Sequence, residues 1–225
     1  MSRAEHREQQ MGLILDAGRR QLAEHGAAAL SLREVARDVG MVSSAVYRYV
    51  ASRDELLTLL ITAAFDDLGE AAEQADAARR RSDLRGRWRA VGTAVRRWAL
   101  DHPHEWALVY GSPVPGYAAP ESTVAPATRV TAVLGAIVAD ASLAGRLGDD
   151  PGGPKGATRA LDPAALAALM PGVAAGPALR AMTAWTGLVG HVSLELFGHF
   201  GPMLADPERA FSLALDELAD LVGIA

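Results

Sequence analysis

SLREVARDVGMVSSAVYRYV, residues 31–50, reads as two short helices around a tight turn, and the rest of the chain is arranged about it. Leu32, Val35, Ala36 and Val39 recur at i, i+3, i+4 and i+7. That spacing lines one side of the first helix with apolar groups and leaves Arg33, Glu34, Arg37 and Asp38 outside. Ser31 and Glu34 form an S-x-x-E pattern, which predicts a capping box satisfying two backbone donors reciprocally. Gly40 ends the helix, because a residue without Cβ enters the left-handed conformation at little cost. Beyond the turn, Val42, Val46 and Val50 fall at i+4 spacings and are expected to pack on the first helix.

At roughly 100° per residue, Ser44 and Arg48 sit at the centre of the opposite face. Ala45 and Tyr47 flank them, and Ser43 and Tyr49 lie nearer the buried edge. Hydroxyls, a guanidinium and two phenols on a face that is small at its N-terminus suit a major groove, where they reach phosphates and base edges. A helix-turn-helix with its second helix as reader is the favoured reading. An ordinary helical hairpin, with Tyr47 and Tyr49 as half-buried packing residues, shares the same periodicity.

The flanking sequence bears on that choice. From about Met11 to Leu57 the chain has an amphipathic helix ending in His-Gly, then Ser-Leu-Arg-Glu-Val-Ala. Gly-Met-Val-Ser-Ser-Ala-Val-Tyr-Arg-Tyr follows, and a fourth helix opens with Ser-Arg-Asp-Glu-Leu-Leu. This region resembles the DNA-binding region of the TetR family of transcriptional repressors. The resemblance implies that Ser31, Ser43, Tyr47, Tyr49 and Arg53 contact the DNA backbone and that Ser44, Ala45 and Arg48 read bases. Arg33, on the outer side of the first helix, completes the candidate DNA-binding set. The chain departs from the family pattern at Val50, where Phe is usual, and at Arg53, where Lys is common; Arg brings a planar fork in place of a point charge.

With 225 residues the chain has length for a reading module and a larger helical domain, expected at residues 1–51 and 52–225. The fold class expected is all-α: a three-helix DNA-binding domain joined to a ligand-binding and dimerisation domain. A net charge of −5 argues against coating nucleic acid through bulk charge, although a specific reader needs only a local cationic face. The absence of cysteine excludes disulfides, thiolate metal sites and Cys nucleophiles. The charged start MSRAEHREQQ lacks an apolar core of the secretory kind, and no apolar run is expected to span a bilayer, so a cytoplasmic protein is anticipated.

Along the chain, residues 1–8 read as a polar arm, either disordered or reaching DNA through Arg3 and Arg7. Met11, Ile14, Leu15, Gly18 and Leu22 then form one helical stripe up to Gly26. Ser52 and Glu55 repeat the capping-box pattern and open a helix running to about Ala78, long enough to belong to both domains. The eight arginines between Arg79 and Arg97 interleave with Trp88, Val91, Val95 and Trp98. They read as the solvated face of a turn and a helix ending near Leu100, rather than a second nucleic-acid site. Pro103 opens a short helix. His102 and His104 lack further ligands at metal spacing, so no metal or cofactor is expected. SPVPGYAAPESTVAP, from residue 112, reads as a loop or a flap over a cavity. A helix from about Thr128 to Leu147, a mobile loop GDDPGGPKG and a short helix capped by Asp162 with Pro163 follow.

From Ala178 to Phe200 the apolar residues leave almost no polar face, so that helix needs partners on more than one side. Gly187 and Gly190 are expected to admit a close backbone. Asp206 and Pro207 open a last helix with Phe211, Leu215, Leu218 and Val222 in one stripe. Two such helices suggest a two-fold four-helix interface between subunits, a homodimer; completing a monomer's own core is the alternative. Trp185 to His191 also resembles, more loosely, the Trp-His-Gly type of TetR C-terminal domain.

The function these readings support is a ligand-responsive transcriptional regulator, a repressor bound to a palindromic operator in double-stranded DNA. Its effector would be a small hydrophobic or aromatic molecule. Candidate pocket residues are Trp88, Trp98, Trp106 and Tyr110, with Met182, Trp185 and His191, although each suits a plain core as well. No HExxH, Gly-rich phosphate loop or G-x-S-x-G element supports an enzyme. An all-α adaptor that binds only protein is the other reading.

Overall fold

The structure, a computed structural model, describes residues 2–147 and 156–224. Its α-helices are α1 Arg3–His25, α2 Leu32–Asp38, α3 Ser43–Val46, α4 Arg53–Ala77, α5 Leu84–Asp101 and α6 Pro103–Tyr110. Then come α7 Val124–Leu143, α8 Ala157–Ala160, α9 Pro163–Leu169, α10 Ala175–Leu196 and α11 Pro207–Val222. The fold is all-α: among the described residues the only bridge of β type joins Leu147 to Ile224.

The chain forms two compact units, one of Met1–Asp67 with His102–Ala127, the other of Leu68–Asp101 with Thr128–Ala225. They do not part at residue 51: α4 contributes to both units, and α6 joins the first.

In the first unit, the expected polar arm is instead the start of α1. Ser2 accepts from the Glu5 N–H at 3.1 Å and the Glu5 carboxylate accepts from the Ser2 N–H at 2.7 Å, a complete capping box. Ile14, Ala17 and Leu22 of α1 join Leu30, Val35, Val46, Val50 and Leu57 in one buried core. Gly18 lets the Leu60 side chain of α4 come close, since a Cβ there would meet it at 3.1 Å.

The Ser31–Glu34 box does not form, because a buried amide from α1 takes its place. Gln21, 3% exposed, accepts the Ser31 N–H at 3.1 Å and donates to Asp38 at 3.4 Å, so one side chain holds both ends of α2. Glu34 turns to Arg37 at 3.7 Å. Gly40, at φ 69°, closes α2 with the Met41 N–H donating to Ala36 O at 2.8 Å and the Gly40 N–H to Arg37 O.

The reading helix is shorter than expected. After α3 the chain tightens into i→i+3 bonds, Arg48 N–H to Ala45 O and Tyr49 N–H to Val46 O, which bring Val50 into the core beside Val46. Val42 does not pack; as the extended N-cap residue it is 71% exposed. At α4, Ser52 Oγ accepts the Glu55 N–H, but the Glu55 carboxylate accepts from Ala51 rather than Ser52, shifting the expected box by one residue.

In the second unit, Trp88, Val91 and Val95 of α5 face inward, and the Trp88 indole N–H donates to Leu215 O of α11 at 3.1 Å. The arginine run is not simply a solvated face. Arg87 has no exposed surface and binds Asp76 of α4 at 2.7 Å and Asp140 of α7 at 2.6 Å. Arg96 grips Glu195 of α10 through two bonds of 2.8 and 2.5 Å.

Helix α7 starts four residues earlier than expected, because Pro126 fits a first turn, where no amide donor is needed, and stops four residues earlier, where Gly145 at φ 63° turns the chain. Residues 121–143 are, against expectation, long and apolar enough by length and composition to cross a membrane. In this fold Val130, Leu134, Ile137 and Val138 from that stretch are buried in the second unit, and Arg129 pairs with Glu73 at 2.7 Å. The anticipated mobile loop at 148–156 lies outside the described residues except for Gly156, which caps α8 in the left-handed region. Helix α10 ends at Leu196, and Gly198 at φ 74° turns the chain before Phe200. Of its glycines, Gly187 packs against Leu218 of α11, whereas a Cβ on Gly190 would meet no described side chain or neighbouring helix within 4 Å.

Arg87→Ala would leave Asp76 and Asp140 to the mostly exposed Arg81, and it is expected to cost about 3 kcal/mol in urea unfolding. Arg81→Ala, which removes a mostly exposed partner of the same carboxylates, is expected to cost under about 1 kcal/mol.

Candidate DNA-reading face and ligand cavity

Val46 and Val50 are fully buried, so the side of α3 away from them must face solvent. Ser43, Ser44 and Arg48 are exposed there, and Tyr47 is 49% exposed. These four side chains share one surface. Ala45 is half-buried rather than outward. Tyr49 is also half-buried, with the Arg7 guanidinium 5.4 Å from its ring centre, so α1 reaches the end of the reader. Arg33 is exposed on α2, and Ser31 is half-buried at its start.

Arg53 is committed elsewhere. Its fork donates to Ala27 O at 3.0 Å and Ala28 O at 3.3 Å and meets Asp54 at 3.3 Å, which ties the start of α4 to the turn after α1. The planar guanidinium serves the fold here. Gln21, which positions α2, carries only a weak sequence signal, a polar residue beside the apolar stripe of α1 between Gly18 and Leu22.

The second unit holds a cavity of about 350 Å³ between α7, α9 and α10. Leu134, Leu166, Met170, Ala181, Met182 and Trp185 are among its walls. Gly135 lets α9 approach α7, since a Cβ there would lie 3.0 Å from Leu169 O. Of the expected pocket residues, Met182 and Trp185 line this cavity, and the others do not. Trp88 and Trp98 are buried core side chains of α5. Trp106 and Tyr110 belong to the first unit, with ring centres 4.5 Å apart, and burial pushes the Tyr110 phenol up. The α9 wall was missed because PAALAAL carries no aromatic residue. Its signal was Leu166, Leu169 and Met170 at i, i+3 and i+4.

The Pro-rich stretch expected as a surface loop or a flap lies in the first unit. Tyr117 and Thr58 hydroxyls are 2.9 Å apart, and Pro113 and Val114 line a smaller cavity of about 290 Å³ with Leu22, Ala27 and His104.

His191 packs against Phe200 and Phe211, with ring centres 5.0 and 5.2 Å away. Its Nε2 is buried without a hydrogen-bond partner among the described residues. Burial lowers its pKa; Glu195 opposes that shift and Arg96 adds to it.

Residues 14–60 match the family model of bacterial regulatory proteins, tetR family, and residues 88–218 match the tetracyclin repressor-like C-terminal domain. The chain is 44% identical over 217 residues to the HTH-type transcriptional regulator Rv1816 of Mycobacterium tuberculosis, across 93% of this chain and 90% of the relative. The HTH-type transcriptional regulator Mb1846 of Mycobacterium bovis matches to the same extent. The crystal structure of the regulatory protein SCO4313 superposes with a TM-score of 0.80 at 32% identity, over 98% of this chain and 100% of that one. A protein of unknown function from Rhodococcus sp. RHA1 superposes with a TM-score of 0.71 at 25% identity, over 95% and 94%. The chain belongs to the TetR family. It is a DNA-binding transcriptional regulator and not an enzyme.

The neutral burial of His191 has a consequence for pH. The unfolded chain protonates an imidazole near its ordinary value, about 6.5, whereas the folded chain resists until a lower pH. The unfolded state then binds more protons between those two values. The stabilisation is complete above the ordinary value and is lost as pH falls toward the depressed one. Equilibrium unfolding between about pH 8 and about pH 5 is expected to show a loss that is smaller in His191→Phe. Equal slopes in the two proteins would contradict it.

Proposed function

We propose that the chain is a repressor that holds a palindromic operator as a homodimer and releases it when a small apolar molecule fills the cavity between α7, α9 and α10. The observation that carries this reading is the exposed set Ser43, Ser44, Tyr47 and Arg48, presented by a helix anchored at Val46. In this reading Ser44 and Arg48 meet base edges, and Ser31, Arg33, Ser43, Tyr47 and Tyr49 serve the backbone contacts. Ala45 can touch a thymine methyl only from the edge of the face. Arg53 positions α4.

A reader this short covers few base pairs, so two must be held about one turn of DNA apart, ~34–36 Å. The subunits meet through α10 and α11, where Leu194, Leu213 and Leu221 are exposed, with Phe197 exposed just past the end of α10. Helix α4 runs without a break from Arg53 to Ala77 and gives the ligand unit a direct handle on the reader. For release, the ligand must favour the non-binding arrangement by several kcal/mol. Work on DNA fits a cytoplasmic location.

In a gel shift with the region upstream of the chain's own coding sequence, binding is expected to weaken as salt rises. Arg48→Ala is expected to cost about tenfold or more, and Tyr47→Phe less. Equal affinity for random duplexes would sink the reading. By sedimentation, Phe197→Asp with Leu213→Asp is expected to turn a dimer into a monomer; a monomeric parent would remove the interface from the account.

A further inference from the structure

The walls of the α7–α9–α10 cavity restrict the charge of what can enter. Among its described lining residues none is cationic, and Asp162, exposed at the rim, is the one ionisable side chain. The Thr131 hydroxyl already donates to Thr128 O at 2.9 Å and the Thr186 hydroxyl to Met182 O at 3.0 Å. Both therefore turn lone pairs, not protons, toward a guest. The Asp162 carboxylate accepts one bond, from the Ala165 N–H at 2.8 Å, and keeps further acceptor capacity. The start of α9 offers an anion little, because Pro163 has no N–H, the Ala165 and Leu166 amides are taken by Asp162, and Ala164, which keeps its own, is not among the lining residues.

An anion here would shed water and face a carboxylate with no cation to replace the lost hydration. An ammonium would find the opposite. Resting on the reading of this cavity as the effector site, we infer that it takes an apolar amine, held by its ammonium group at Asp162. The apolar body lies among Leu166, Met170, Ala178 and Ala181. A neutral alcohol of the same shape binds more weakly, and a carboxylate is turned away.

Three probes with one body and different heads test this by calorimetry on the full chain: 4-tert-butylbenzylamine, 4-tert-butylbenzyl alcohol and 4-tert-butylbenzoate. The amine is expected to bind tightest and the carboxylate at least tenfold more weakly than the amine. Asp162→Asn, which keeps a side chain suited to capping α9, is expected to bring amine and alcohol within about threefold of one another. Ala181→Trp, which fills the cavity, is expected to abolish binding of all three. Tightest binding by the carboxylate, or an amine preference unchanged in Asp162→Asn, overturns the inference and leaves the effector site standing. If none of the three binds, or Ala181→Trp changes nothing, the effector site itself falls and the inference with it.

Discussion

A guanidinium with no surface open to water holds the second unit together. Arg87 projects from α5 between Asp76, near the end of α4, and Asp140, on α7, and also reaches Arg81 O at 3.4 Å. Burial works against its charge, yet the hydrogen bonds it donates to both carboxylates leave its pKa raised. Such a group must stay paired, because neither its charge nor its donors can be satisfied otherwise. Its geometry fixes where α7 lies against α5, and hence one wall of the cavity. Trp88, the next residue along, fixes α11 from the same helix through Leu215 O. The bidentate hold of Arg96 on Glu195 does the same for α10.

Much of the first unit was legible because its signals are local. Apolar spacing located α1 and α2, the Ser52–Glu55 pattern opened α4, and Gly40 marked a real left-handed turn. Ser52 lies where α4 begins, and Asp162 and Asp206 cap the helices that follow them. The outward position of Ser44 and Arg48 followed from the burial of Val46. What failed there failed through competition. Gln21 comes from another helix, and nothing around Ser31 reveals that it displaces Glu34. The polar start was read by composition as an arm, although Ser2 and Glu5 spell the same capping pattern used elsewhere in the chain.

The second unit was less legible, since its decisive contacts join distant residues. Arg87 looked like its seven neighbouring arginines, and only the arrival of Asp76 and Asp140 sets it apart. Aromatic side chains suggest a pocket lining, but Trp88 and Trp98 fill the core. Space arises where side chains are small, at Ala178 and Ala181 on α10, while Gly135 on α7 admits the end of α9 that closes it. Small residues on facing helices are weak signals until the pairing of those helices is known.

The helix that presents Ser44 is four residues long. One turn of helix has no stability of its own in water. Its shape on the outside is an imprint of the valines on the inside, so the contour offered to a groove is cast by the oil beneath it. Loosening the interior under Val46 or Val50 would blur that contour without altering any residue that touches DNA.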